Sequence, residues 1–155
     1  MHFYDWMLAL HLLAAFAIAA ALVLYSVLVF SGRRMTSLEQ TQALFRLAPV
    51  GTFVIAPGAV LTLVLGVTLA IDSDTFELWD AWVIAAIVLW AALAAVGRRS
   101  GVYYTDVQKL AASGDPAVEP EVLARLRAPT GALLQLASLG IFVLLLLDMI
   151  FKPGA

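Results

Sequence analysis

Residues 6–30 read WMLALHLLAAFAIAAALVLYSVLVF, and nearly every side chain in this run is apolar. About 20 apolar residues in a helix span the roughly 30 Å hydrocarbon core of a bilayer. The run therefore predicts a transmembrane helix over residues 3–30. A cleaved signal peptide would have a basic start and a shorter apolar stretch. The start here is the acidic MHFYDW, so we expect a retained span.

Three further apolar runs cover residues 47–71, 78–96 and 132–151, and most of the charged residues fall between the runs. The chain is 63% apolar and only 13% charged, whereas soluble proteins are about a quarter charged. These observations predict an all-α membrane protein. We expect residues 1–155 to form one integral membrane domain, a four-transmembrane-helix bundle.

The basic residues predict the topology. Lys and Arg concentrate in cytoplasmic loops, and eight of the nine lie in two loops, residues 31–46 and 97–131. Both termini are therefore expected outside and both basic loops inside. The eight residues are Arg33, Arg34, Arg46, Arg98, Arg99, Lys109, Arg125 and Arg127.

The two inner loops should contain some helix of their own. Residues 31–46 mix polar and apolar positions, which predicts a short interfacial helix. Residues 97–131 predict a helical extension, a Ser-Gly-Asp-Pro turn and a second short helix with Pro120 in its first turn. Pro129 is expected to bend or interrupt the junction with the last span.

The second span carries Gly51, Gly58, Thr62 and Gly66 at spacings of seven, four and four, which places them on one stripe. Helices in lipid approach each other closely at such small residues, so the stripe predicts helix packing. Pro57 removes one backbone hydrogen bond. It predicts a kink, with a freed carbonyl that lines a site as the alternative.

His11 is the conspicuous polar residue of the first span, in its outer third and one helical turn from Met7. Intramembrane ionisable groups normally pair or face the bundle interior. Asp148, near the outer end of the last span, is the expected partner, and the two residues are the candidate metal ligands. Alternatively, His11 is structural and Asp148 lies in the headgroup layer beside Lys152.

A b-type haem with His11 as an axial ligand is a further possibility. Haem iron usually takes His paired with His or Met. The other histidine, His2, lies at the N-terminus outside the predicted bundle, which leaves Met149 or a second chain's His11 as the second ligand. The chain has no cysteine, so thiolate sites are excluded. It also lacks the HExxH, GxSxG, P-loop and GxGxxG motifs.

Four segments carry a resemblance: LHLLAAF at residues 10–16, APGAVLTLVLGVTL at 56–69, DAWVIAAIVLW at 80–90 and DMIFKPGA at 148–155. Together they resemble a bacterial family of small four-helix integral membrane proteins of unknown function. That family is distantly similar to the CopD-type copper-resistance membrane domain. The resemblance implies the fold and a bacterial inner membrane, and it implies no activity.

The expected function is a non-catalytic one, as an accessory or scaffolding component of a membrane complex. The alternatives are small-solute or metal handling through His11 and Asp148, and haem binding through His11. Expected partners are the lipid bilayer and either other membrane subunits or a second copy of the chain. A net charge of -2 without a basic block argues against nucleic acid.

Overall fold

The computed structural model describes residues 3–72, 77 and 79–152. His2 and Leu78, the predicted first residue of the third span, lie outside the described residues. The described part of the chain contains no strand, which confirms the all-helical class. Its helices are α1 (Phe3–Gly32), α2 (Leu38–Phe45), α3 (Ala48–Ile71), α4 (Ala81–Ala112), α5 (Glu119–Arg127) and α6 (Pro129–Phe151), with a 3₁₀ turn at Pro116–Val118 before α5.

Four helices, α1, α3, α4 and α6, are long and apolar enough to cross a membrane, as the sequence predicts. The 32 residues of α4 extend about 48 Å at 1.5 Å per residue, well beyond a roughly 30 Å hydrocarbon core. Its last part therefore projects past one end of the bundle. We call that end the loop end, and the opposite end, where α1 begins and α6 finishes, the terminal end.

The four long helices form two antiparallel pairs, α1 with α3 and α4 with α6. The α1–α3 pair packs through the glycine stripe of α3. A Cβ atom at Gly58 would lie 3.4 Å from the Ala14 carbonyl oxygen, and one at Gly51 would lie 2.9 Å from the Tyr25 ring. Thr62 of the same stripe is 7% exposed. In lipid such backbone proximity replaces hydrophobic burial as the source of association.

Hydrogen bonds join the two pairs. The buried Gln135 amide of α6 donates to the Leu22 carbonyl at 3.0 Å and to the Ser26 hydroxyl at 2.8 Å, both on α1. On the other side, the Trp90 indole N–H of α4 donates to the Ala59 carbonyl of α3 at 3.2 Å. Each bond crosses from one pair to the other, so they fix the relative position of the pairs.

The most completely buried side chains lie in a layer at the loop end, made by α2, α5 and the projecting part of α4. Val107 and Val122 are fully buried there, at 0% exposure. The Glu119 carboxylate accepts a hydrogen bond from the Leu38 backbone N–H at 2.9 Å, at the start of α2. Removing apolar surface from water is favourable in proportion to its area. This effect explains why a tight apolar core forms beyond the apolar runs of the long helices.

Pro57 lies inside α3, which continues as one helix on both sides of it. The proline is exposed, and so is Phe53 one turn earlier, at 83%. Because residues four apart share a helix face, the proline side of α3 points away from the other helices. The neighbouring Gly58 is buried against α1 instead.

Candidate functional site

A cavity of about 250 Å³ lies between the four long helices towards the terminal end. Each of the four helices contributes to its wall, so the cavity exists only because the two pairs separate here. The polar and aromatic residues that line it are Tyr4 and His11 from α1, Thr62 from α3, Trp82 and Trp90 from α4, and Lys152 just after α6. Gly66 and Met149 also line the cavity.

His11 occupies the cavity wall because Gly66 leaves room for its ring. A Cβ atom at position 66 would lie 2.9 Å from the imidazole Cε1 and 3.4 Å from Nδ1. Real Cβ atoms do not approach other atoms as closely as the first distance, so only glycine permits this contact. The same helix provides a similar space for the Tyr25 ring at Gly51. The two rings of α1 thus pack against two glycines of α3.

Two polar atoms in the cavity wall have unused hydrogen-bonding capacity. The His11 ring lies against the Thr62 main chain, yet its Nδ1 atom is buried without a well-aligned hydrogen-bond partner. The Thr62 Oγ1 atom is also buried without a partner. A buried polar group that lacks a hydrogen bond costs roughly 1–3 kcal/mol. The His11 Nδ1 atom and the Thr62 hydroxyl would therefore gain from a hydrogen bond to a ligand.

Thr62 differs from the other threonines of α3. The Thr68 hydroxyl donates to the Val64 carbonyl at 2.8 Å, and the Thr52 hydroxyl donates to the Ala48 carbonyl at 3.3 Å. Such bonds to the preceding turn are the usual arrangement for threonine in a helix. Thr62 makes no corresponding bond, and its buried hydroxyl has no hydrogen-bond partner among the described residues.

Aromatic side chains form much of the remaining wall. The Lys152 Nζ atom lies 5.3 Å from the centroid of the Trp82 ring, within the range of a cation–π interaction. Lys152 adopts a left-handed backbone conformation, with φ of 42°, and its N–H donates to the Asp148 carbonyl at 2.8 Å. This C-cap ends α6 and directs the lysine towards the cavity. Trp90 is fixed by its bond to α3.

Asp148 lies outside this cavity, in a shallow groove between α4 and α6. Its neighbours on α6, Leu145 and Met149, do line the cavity. Successive residues of an α-helix point about 100° apart, so Asp148 faces α4 while Met149 faces the bundle interior. The carboxyl oxygen Oδ2 is buried without a hydrogen-bond partner, as is His11 Nδ1. No hydrogen bond joins His11 and Asp148 in the described part of the chain.

The structure also shows which residues are available to a metal or haem. Among residues 3–72, 77 and 79–152, no three His, Cys, Asp or Glu side chains group together as a metal site. His11 and Met149, the ligand pair that the sequence suggests, line the same cavity, and imidazole and thioether groups are common haem ligands. The cavity volume of about 250 Å³ lies below the roughly 300–1,000 Å³ typical of cofactor and drug-sized ligand sites.

Sequence reasoning identified His11 and assigned Thr62 and Gly66 to packing, but it did not assign the two tryptophans or Lys152 to the site. One signal was present in the sequence. Trp82 and Trp90 are eight residues apart, close to two helical turns, and therefore share a face of α4. The sequence could not predict that the Thr62 hydroxyl lacks a hydrogen bond, because the rotamer of the side chain decides whether the hydroxyl bonds the preceding turn.

Comparison of the chain with known protein families, with curated protein sequences and with solved structures finds no match.

The contact of His11 with Gly66 predicts a specific sensitivity to substitution. Gly66→Ala should lower the free energy of unfolding by about 1–3 kcal/mol, because the added methyl group overlaps the imidazole ring. The measurement is equilibrium unfolding of the purified protein in mixed micelles. Gly140→Ala in α6 is the matched control, since a Cβ atom there has no neighbour within 4 Å.

A double variant distinguishes this contact from a general intolerance of alanine at position 66. Adding His11→Ala to Gly66→Ala removes the overlap. The destabilisation caused by Gly66→Ala should therefore be smaller by at least about 0.5 kcal/mol in the His11→Ala background than in the unchanged chain. Additive costs in that cycle would show that the ring does not rest on Gly66.

Proposed function

We propose that the chain is a non-catalytic, multi-pass integral membrane protein that serves as an accessory component of a membrane complex. In this proposal, a transmembrane helix of another protein docks in the groove between α4 and α6 and provides a hydrogen-bond donor to Asp148. The topology proposed with it has both termini outside and the loop end in the cytoplasm. The membrane is the bacterial inner membrane, in line with the resemblance noted above.

The positions of the basic residues support this topology. Eight of the nine lysines and arginines lie towards the loop end. Three lie between α1 and α3, three in the second half of α4 and two in α5. Lysine and arginine are enriched in short cytoplasmic loops. Arg33 also has a structural role. Its guanidinium donates a hydrogen bond to the Ala128 carbonyl at 2.9 Å, which joins the end of α1 to the start of α6.

The observation that carries the proposed function is the state of Asp148. Its side chain is only 9% exposed, and its buried Oδ2 has no hydrogen-bond partner. A carboxyl group among apolar side chains is costly in a membrane, and such groups normally pair with another polar group. A donor from a neighbouring helix would remove this cost, which favours an occupied groove in the assembled protein.

The walls of the groove indicate the chemistry of the occupant. Leu144, Leu147 and Phe151 line it, and they are 53%, 43% and 74% exposed. A complementary surface is therefore apolar over most of its length and carries one donor opposite the carboxyl. An apolar helix with a single lysine, arginine or other donor side chain fits this description. Polar contacts between transmembrane helices contribute about 0.6–2 kcal/mol each.

The proposed topology predicts a labelling pattern that is easily read, because the chain has no native cysteine. A membrane-impermeant maleimide applied to intact cells should label Asp72→Cys, which follows α3 at the terminal end. It should not label Ala117→Cys in the loop-end turn until the cells are permeabilised. Both positions are exposed. If only Ala117→Cys were labelled in intact cells, the topology would be the opposite of the proposed one.

The proposed docking groove predicts a crosslink that depends on Asp148. In native membranes, Leu147→Cys should form an adduct with a different protein through a short bifunctional crosslinker. Adding Asp148→Leu should reduce the yield of that adduct by about tenfold, because the donor loses its acceptor. Leu133→Cys is the control on α6, since it is 63% exposed and far from the groove.

The mass of the adduct decides between occupants. An adduct of twice the mass of the chain would identify a second copy as the occupant and would contradict an accessory role. The absence of any adduct, or a yield that Asp148→Leu does not change, would also contradict the proposal.

A further inference from the structure

We infer that the cavity at the terminal end is a binding site for a small, uncharged, mostly apolar molecule that carries one hydroxyl or carbonyl oxygen, about the size of a substituted phenol. His11 Nδ1 and the Thr62 hydroxyl bind that oxygen, and Trp82 and Trp90 enclose the apolar part. The site is separate from the Asp148 groove, and the inference does not depend on the function proposed above.

The polar pair is the first observation behind this inference. Thr62 is more than nine-tenths buried, lines the cavity and has no hydrogen-bond partner for its Oγ1. The His11 ring lies on the same wall beside the Thr62 main chain, and its buried Nδ1 makes no well-aligned hydrogen bond there. A neutral imidazole nitrogen either donates or accepts, and a hydroxyl does both. One ligand oxygen that contacted both groups would satisfy both.

The rest of the wall limits the ligand to a largely apolar one. The remaining lining is dominated by aliphatic and aromatic side chains, with Lys152 held over the Trp82 ring at one edge. Ligand sites of this kind combine an apolar wall with a few polar groups that set orientation.

The size of the cavity sets the size of the ligand. An apolar cavity of about 150 Å³ in another protein accepts benzene. The volume of about 250 Å³ here therefore has room for one ring with a short substituent.

The route of entry is the bilayer. Leu8, Leu12 and Ile87 line the cavity and are 38%, 49% and 42% exposed on the outside of the spans. The cavity therefore borders the lipid-facing surface of the bundle. A small lipophilic molecule is concentrated in the hydrocarbon phase, so it reaches the site without crossing a polar surface. This source agrees with a ligand that has a single polar atom.

Direct binding of two isosteric probes tests the inference. The full chain in lipid nanodiscs is dialysed against labelled p-cresol or p-xylene, which differ only by a hydroxyl in place of a methyl group, and empty nanodiscs give the bilayer background. We expect one saturable site for p-cresol per chain and at least about threefold weaker binding of p-xylene. Neutral hydrogen bonds contribute about 0.5–1.5 kcal/mol, which corresponds to a factor of about 2 to 13.

Variants of threonine locate the hydroxyl contact. Thr62→Val keeps the shape of the side chain and should weaken p-cresol binding about three- to tenfold, with little effect on p-xylene. Thr68→Val is the matched control, because the Thr68 hydroxyl already donates to the Val64 carbonyl. We expect the control to bind both probes as the unchanged chain does.

A second variant keeps the test decisive if Thr62→Val fails to fold. His11→Phe retains a ring over Gly66 and removes both nitrogens, so it should lower the preference for p-cresol over p-xylene in the same way. Equal affinity of the unchanged chain for the two probes would overturn the inference, as would the absence of a saturable site. A preference for p-cresol that survives both Thr62→Val and His11→Phe would overturn it as well.

Discussion

The close contact between α1 and α3 is the constraint on which the rest of the structure depends. In a bilayer, whose lipid tails are as apolar as leucine, helices gain little from hiding apolar surface from water and associate where their backbones approach closely. The glycines of α3 permit that approach, with the Gly58 position 3.4 Å from a carbonyl oxygen of α1. His11 and Tyr25 fill the spaces at Gly66 and Gly51. The pair then forms one wall of the cavity.

The two ends of the bundle are held by different forces. At the loop end, α2, α5 and the projecting part of α4 bury an apolar core with Val107 and Val122 at its centre. That layer closes the bundle there, and the bonds of Gln135 join α6 to α1. At the terminal end no such layer is present among the described residues, and the two helix pairs enclose a cavity instead. The packed layer and the cavity thus lie at opposite ends of the four long helices.

Much of this arrangement follows from patterns that the sequence displays. The four apolar runs predict the long helices, and the spacing of Gly51, Gly58 and Gly66 predicts the stripe that meets α1. Both patterns repeat over several turns, so errors of one residue do not alter them. The third apolar run ends near Val96, and the helical extension predicted after it is present, because α4 continues to Ala112.

The site itself was predicted only in part, for a physical reason. His11 is visible in the sequence as a polar residue in an apolar run, but its surroundings depend on how four helices are rotated about their axes. A difference of about 100° between neighbouring residues places Met149 in the cavity and Asp148 in the outer groove. The expected pairing of His11 with Asp148 assumed a rotation that the sequence does not determine. The free Thr62 hydroxyl depends on a single torsion angle.

The His11 ring lines a cavity inside the bundle, and we propose that lipophilic molecules enter that cavity. The NMR signal of the His11 Cε1–H group in nanodiscs reports on both statements, when it is recorded in a His2→Gln background so that one histidine remains. We expect a water-soluble paramagnetic chelate to leave the signal sharp, and p-cresol to shift it more than p-xylene does. Broadening by the chelate, with no response to either probe, would show instead that the ring faces water and binds neither molecule.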